Sequence, residues 1–473
     1  MEEPGSPDDF TTVPGRTMTT STFRTVSFSG TRSGVHPLTW GQRWIWQGLI
    51  GHAPGYEYLG WPVSVDVPTG CSLDEVLAAL ATVLERHETL RTRYFLDEHG
   101  VPRQVVPAAG ELRVEVRQAA SEGVPETVKQ LGRELSGTPF TIPEISVRAA
   151  VVTAAGVPES LVLGVFHMAT DASGLQQVTE ELQAVMQARA AGTAGPDLPP
   201  VSHPAERVLI ETSPEGLKRS ARAVEHWRQE VGKFPRRTMP PAVHAPERPR
   251  LAEHIMRSKA VCAAAIGLSR IWRASVDSVI LACAAELLGK ASGQQSCGFL
   301  MLAHNRFAEE TDSYSGTLVQ SFPLCVELAT GSLEEQVSRT HFAALKSALS
   351  CEGNPDDITA MLRAVFDDGD DGADLSCAVN LFFRDLGTMT RGVDGPEVTT
   401  REQAEKLMPH TRFSQGHGTE KDDWEFFLNA HQEANEFVVS LRMDTAVLPS
   451  QQIVRFLADL ERRLVGSLPG ADA

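Results

Sequence analysis

Residues 161–187, LVLGVFHMATDASGLQQVTEELQAVMQ, change character halfway along. Leu161, Val162, Leu163, Val165 and Phe166 form a short apolar run that predicts a buried strand. His167 follows, and Asp171 comes four residues later inside the small polar turn Thr170-Asp171-Ala172-Ser173-Gly174. From Leu175 the apolar positions Leu175, Val178, Leu182 and Met186 fall at spacings of three and four, so the chain has become an amphipathic helix. A titratable imidazole therefore stands where a buried strand empties into a loop, a place that binding and catalytic groups favour.

The surrounding composition narrows the choices. A chain of 473 residues exceeds the roughly 250–300 at which one core stops growing, so two lobes are expected. Hydrophobic content of 42% and charged content of 22% are those of a globular protein. The net charge of -18 argues against general nucleic-acid affinity, because a polyanion demands a basic surface. Seven scattered cysteines, none in a Cys-x-x-Cys or Cys/His ligand spacing, predict reduced thiols and no metal centre. No run of about 18 apolar residues and no basic-then-apolar N-terminus is present, so a cytoplasmic protein free of the membrane is expected.

Read in order, residues 1–21 are rich in Pro, Gly, Ser and Thr and predict a disordered tail. Residues 22–30 predict an edge strand. Pro37-Leu38-Thr39-Trp40-Gly41-Gln42 opens a helix, with Thr39 as N-cap and Gln42 as its capping-box partner. Ser72–Glu85 is a second capped helix, and Arg86-His87-Glu88-Thr89-Leu90-Arg91-Thr92-Arg93-Tyr94-Phe95 follows it. Ile145–Thr153 pairs with 161–166 across an AAGVPES turn, which delivers the chain to His167. A helix over 215–237 carries Lys218, Arg219, Arg222, Arg228, Lys233, Arg236 and Arg237, either as a solvated face or as a docking patch for an acidic partner. The proline-rich stretch 239–250 is the expected linker, giving lobes at 22–238 and 239–473. The second half repeats the pattern, with a buried helix at 275–289, strands at 297–302, 378–383, 424–430 and 436–443, and a closing helix at 449–465.

Four stretches in this order resemble the motifs of nonribosomal peptide synthetase condensation domains, in the chloramphenicol-acetyltransferase-like superfamily. Leu38 to Trp46 resembles the opening Leu-(Ser/Thr)-x-x-Gln motif, and Arg86 to Tyr94 resembles Arg-His-Glu-x-Leu-Arg-Thr-x-Phe at nearly every position. Phe166-His167-Met168-Ala169-Thr170-Asp171-Ala172, with Glu181-Leu182 beyond it, resembles His-His-x-x-x-Asp-Gly. Here the second His and the Asp are kept, while Phe166 and Ala172 replace the first His and the Gly. Gly316 to Leu324 resembles Gly-x-Phe-x-Asn-Thr-x-Pro-Leu. The resemblance covers about residues 35–465 and implies an α/β fold of two such lobes, mixed sheets flanked by helices, in a V-shaped pseudo-dimer with the active site between them.

The resemblance also implies an activity. Condensation domains join a thioester-bound acyl group to an amine or a hydroxyl. By it, His167 is the base or the group that orients the nucleophile, and Arg91 pairs with Asp171 to support the loop that aims it. An arginine holds a carboxylate bidentately, and a carboxylate at a strand mouth needs a cation or several donors. Phe166 removes whatever hydrogen bond the first His made, and Ala172 adds a methyl at the tight turn; both line the site. A free-standing condensation enzyme of natural-product biosynthesis is the expectation. It would bind no cofactor itself and would meet phosphopantetheine on a partner acyl or peptidyl carrier protein, with a small-molecule nucleophile as second substrate. A coenzyme A donor is a narrower variant, and a condensation-like scaffold that has lost catalysis is the alternative. A monomer is expected. A serine hydrolase finds no G-x-S-x-G elbow in its support, and phosphate loops are absent.

Overall fold

The computed structural model describes residues 21–51, 60–138, 140, 144–307, 311, 313–328, 331–366, 372–382, 400–422 and 424–470. The expected tail, apart from Ser21 at the start of a strand, lies outside the described residues, as does Phe383 at the end of the expected 378–383 strand. The chain forms two compact units, one of residues 1–37 and 54–203, the other of 38–53 and 204–473.

In the first unit a five-stranded sheet runs in the order Ser21–Ser29, Ala109–Ala119, Val147–Ala154, Val157–Phe166, Gly60–Asp66. Its strands are antiparallel except where Ala109–Ala119 meets Val147–Ala154 in parallel, so the sheet is mixed. The expected edge strand is at the edge. The hairpin leading to His167 is tighter than the sequence predicts: Ala155 and Gly156 both have positive φ, at 50° and 82°, and the last strand already begins at Val157. Two residues of positive φ make the turn whose twist matches paired strands. The helices Leu73–Arg86 and Ala172–Ala190 cover one face, burying Val76, Leu80, Val83, Val178 and Leu182 against Val151, Leu161 and Leu163. The helix Val124–Gly137 covers the other, with Leu131 on Val152 and Val162. A three-stranded sheet of Gly34–Pro37, Pro102–Val106 and Arg93–Leu96 completes the unit.

The second unit has a seven-stranded mixed sheet, in the order Gln320–Glu327, Ser296–Ala303, Cys377–Phe382, Phe426–Glu433, Glu436–Asp444, Leu251–Ser258, Arg412–Gln415. The helices Lys259–Trp272, Val276–Ser292 and Ser450–Gly466 share one core with it. The all-round apolar sequence of Val276–Ser292 is accounted for by burial on nearly every side.

The division between units differs from the sequence expectation in two ways. It falls at 203/204, because the helix Pro214–Val231 packs on the second unit, with Trp227 and Val231 against Ile358 and Met361. Thr238, next to the expected linker, and Met239, its first residue, are already buried there. The opening helix Trp40–Gly51 also belongs to the second unit. Its Trp40 N–H donates to Glu211 Oε2 at 2.8 Å, Arg43 pairs with Asp356 at 2.6 Å, and Gln47 bonds the other Asp356 oxygen at 2.8 Å. The Thr39–Gln42 capping box forms as expected, with Thr39 N–H donating to Gln42 Oε1 at 2.9 Å and Gln42 N–H to Thr39 Oγ1 at 3.3 Å. Three of the seven basic residues of the 215–237 stretch pair with nearby carboxylates: Arg219 with Glu352, Arg228 with Glu225 and Lys233 with Glu230. Among the described residues no helix is long and apolar enough to cross a membrane.

Candidate active site

The strand Val157–Phe166 ends where Phe166 N–H donates to Ser146 O at 2.9 Å, and the chain then leaves the sheet. A turn closes with Ala169 N–H on Phe166 O at 2.8 Å, and the helix Ala172–Ala190 begins. His167 lies in this turn, partly buried, with its ring edge-on to Trp61 of the neighbouring strand at 5.1 Å and 82°. Its Nδ1 is 2.9 Å from Thr170 O. A carbonyl only accepts, so Nδ1 carries the proton and Nε2 keeps its lone pair. Nε2 has no hydrogen-bond partner among the described residues. Burial lowers the imidazole pKa below its ordinary value, against the opposing pull of the Thr170 carbonyl and the Asp171 charge. The ring is thus neutral at pH 7, in one tautomer, with a free acceptor nitrogen, which is the state a general base requires.

Asp171 is the N-cap of the helix, its carboxylate accepting Gly174 N–H at 2.9 Å, while its carbonyl takes Leu175 N–H at 2.8 Å. Those two N–H groups are therefore engaged by Asp171 itself. The expected ion pair between Arg91 and Asp171 does not form. Arg91 is 1% exposed, and its guanidinium donates to the carbonyls of Glu85 at 2.7 Å, Leu84 at 3.1 Å, Pro107 at 3.3 Å and Arg32 at 3.3 Å, with Glu88 3.7 Å away. A guanidinium has five donors, and backbone carbonyls have taken up the fork that the resemblance assigned to Asp171.

The motif that contains Arg91 supports the His167 turn by another route. Arg86 Nε and His87 Nε2 meet the same oxygen of Glu181, at 2.7 and 2.8 Å, so the second motif is bolted to the helix that Asp171 caps. Burial opposes ionisation of Glu181, yet these two partners hold its pKa at about 2. Glu88, buried, bonds Arg32 at 3.1 Å. Tyr94, at the motif's Phe position, donates its hydroxyl to Met168 O at 2.9 Å, directly after His167. These partnerships were missed from the sequence. The available signal was Glu181 itself, a carboxylate beside Val178 and Leu182 on the buried stripe of the helix.

Phe166, where the family has its first His, is 6% exposed and stacks on Phe140 at 5.1 Å and 8°, with Tyr94 edge-on at 6.1 Å. Its contacts are aromatic, and the position works as packing behind His167. Ala172 is the first residue of the helix and has no positive φ, so its methyl introduces no backbone strain.

Comparison with known proteins fits this geometry. Residues 32–355 match the family model described as Condensation domain. A protein described as a probable nonribosomal peptide synthetase, CymA of Salinispora arenicola, is 31% identical over 230 residues, or 46% of this chain. Malpinin synthetase of Mortierella alpina is 24% identical over 290 residues, or 57% of this chain. The chain spans 3% and 4% of the length of these two relatives. Among solved structures, a condensation domain that mediates chain release from the enacyloxin polyketide synthase superposes with TM-score 0.68 at 17% identity, over 92% of this chain and 83% of that one. The SgcC5 protein of Streptomyces globisporus gives TM-score 0.66 at 19% identity, over 92% and 100%. With the family model matching about two-thirds of its length, and with sheets and helices arranged as in those structures, the chain belongs to the condensation-domain family.

Proposed function

We propose that the chain is a condensation-type acyltransferase, moving an acyl group from a phosphopantetheine thioester on a carrier protein to an amine or hydroxyl nucleophile. The product is an amide or an ester. The observation that carries this reading is the state of His167, with Nδ1–H held by Thr170 O and Nε2 unpartnered at the end of a buried strand. In the reaction the nucleophile's proton passes to Nε2 as its nitrogen or oxygen bonds the thioester carbonyl carbon. The C–S bond then breaks, and the departing thiolate takes the proton back from the imidazolium. Asp171 and the Tyr94 hydroxyl hold the turn that aims the ring. Phosphopantetheine arrives on the carrier, as a substrate arm, so the chain brings no cofactor of its own.

The test is a mass-spectrometric transfer assay that sets wild type beside His167→Ala. Acyl-pantetheine thioesters, acyl-coenzyme A and acylated carrier proteins serve as donors, with amines and alcohols as acceptors. Transfer by wild type and a loss of about a hundredfold or more in the variant is the expected result for a general base. Equal transfer by both removes His167 from the chemistry. Carrier-protein binding with no transfer by either, across the whole panel, favours a scaffold, a reading that the replacement of the first motif His by Phe166 would accommodate.

A further inference from the structure

The second unit holds a small cavity of about 30 Å³ that no step above uses. Roughly 10–15 Å³ of such space accommodates one water, so this cavity takes a ligand of a few heavy atoms. It opens where the helix Val276–Ser292 begins, beside the helix Leu333–Ser350. Leu281, Met301, Phe322 and Leu345 give it apolar walls.

Two polar groups in that lining each hold a buried atom with no partner among the described residues. Asp277 makes no hydrogen bond or ion pair among the described residues, and its Oδ1 is fully buried. His341, only 7% exposed, receives Ser275 N–H on Nδ1 at 3.3 Å, with Ser278 Oγ also 3.3 Å from that nitrogen. Nδ1 is thereby the acceptor nitrogen, so Nε2 carries the proton, and this buried N–H has no acceptor among the described residues. A first-turn acid complements the helix dipole from an exposed position equally well, so the dipole does not account for a buried, unpartnered oxygen. Orphaned buried polar groups each carry a desolvation penalty that a bound ligand would remove.

We propose that this cavity is a binding site for a small 1,2-amino alcohol, whose ammonium meets the Asp277 carboxylate and whose oxygen accepts the His341 Nε2–H. Its ammonium and its oxygen complement the two orphans in kind, its small size keeps to a cavity of about 30 Å³, and the apolar walls shield the ion pair. Among the described residues, Asp277 and His341 are the only ionisable groups lining the cavity. The site stands independently of acyl transfer, since its test reads binding alone.

The experiment titrates ethanolamine and 1-amino-2-propanol into the full chain, followed by calorimetry, with 1-propanol and acetate as controls. Saturable binding at least tenfold tighter than that of 1-propanol is expected, weakened at least tenfold in Asp277→Asn and His341→Phe variants that keep the wild-type circular dichroism. A second reading comes from pH. Burial pushes the Asp277 carboxyl up to about 8, and binding an ammonium expels its proton. Wild-type affinity therefore rises up to about tenfold per pH unit from about pH 6 to about 8, then levels off while the amine stays protonated. Binding that survives Asp277→Asn, equal binding of 1-propanol, or no saturable binding of either amino alcohol overturns the proposal. Should the Asp277 variant not fold, pH-independent affinity of the wild type over that range overturns it as well.

Discussion

Glu181→Ala tests whether the two motifs of the first unit stabilise it through one carboxylate. Glu181 is 5% exposed and is held by Arg86 at 2.7 Å and His87 at 2.8 Å, which take its pKa from the ordinary 4.5 to about 2. At 1.36 kcal/mol per pKa unit, that depression corresponds to about 3 kcal/mol of stability at neutral pH. In a unit of this size each kcal/mol moves the melting temperature by about 2–4 °C, so Glu181→Ala lowers it by about 6–12 °C. Thermal melts followed by circular dichroism measure the difference. Its pH dependence has a definite sign. A folded pKa below the unfolded one adds stability that is complete above about 4.5 and lost as pH falls toward about 2. The gap between wild type and Glu181→Gln, which keeps the shape and drops the charge, is therefore flat from pH 7 to about 5 and narrows below. A Glu181→Ala melt within about 1 °C of wild type, or a gap that stays flat down to pH 3.5, refutes the reasoning.

Other perturbations reach neighbouring parts of the site. Arg91→Lys replaces a fork on four carbonyls with a point charge, and a loss of about 2–4 kcal/mol is expected in denaturant titrations. Gly30→Ala destabilises the same place, because a Cβ there would overlap the Arg91 guanidinium, and it is expected to lower the melting temperature. Since burial lowers the His167 pKa, the acid limb of the pH profile of kcat/KM for acyl transfer falls below the ordinary histidine value of about 6.5.

What the sequence discloses here is whatever is carried by neighbours in the chain. The Thr39–Gln42 box and the strand-turn-helix around His167 are local patterns, and each forms close to where it is predicted. Partner choice is another matter. A buried arginine needs acceptors, but a sequence displays carboxylates and hides carbonyls, so Asp171 looked like the partner of Arg91 when Leu84, Glu85, Pro107 and Arg32 supplied it. The prolines of 239–250 marked a linker by composition, whereas the division of units is decided by long-range contacts such as Trp40 N–H on Glu211. Asp277 sat unnoticed within a helix expected to be buried, because a first-turn acid is ordinary until its oxygen proves to have no partner.

The same distinction bears on Phe166, which by sequence is a lost histidine. In the fold it touches Tyr94, and Tyr94 stands where the second motif has Phe. The polar group absent from position 166 is matched by a hydroxyl at position 94, which anchors Met168 O at the turn that carries His167. If the two departures belong together, their effects are not additive. Tyr94→Phe strands a buried carbonyl, at a cost of about 1–2 kcal/mol. Phe166→His puts an unpaired imidazole among Phe140 and Tyr94, at about 1–3 kcal/mol. The double variant restores the family's pairing of His with Phe, and it is expected to lose at least about 0.5 kcal/mol less than the sum of the singles. Strict additivity in denaturant titrations would mean that the two rings meet without compensating, and that the hydroxyl of Tyr94 is unrelated to the replaced histidine.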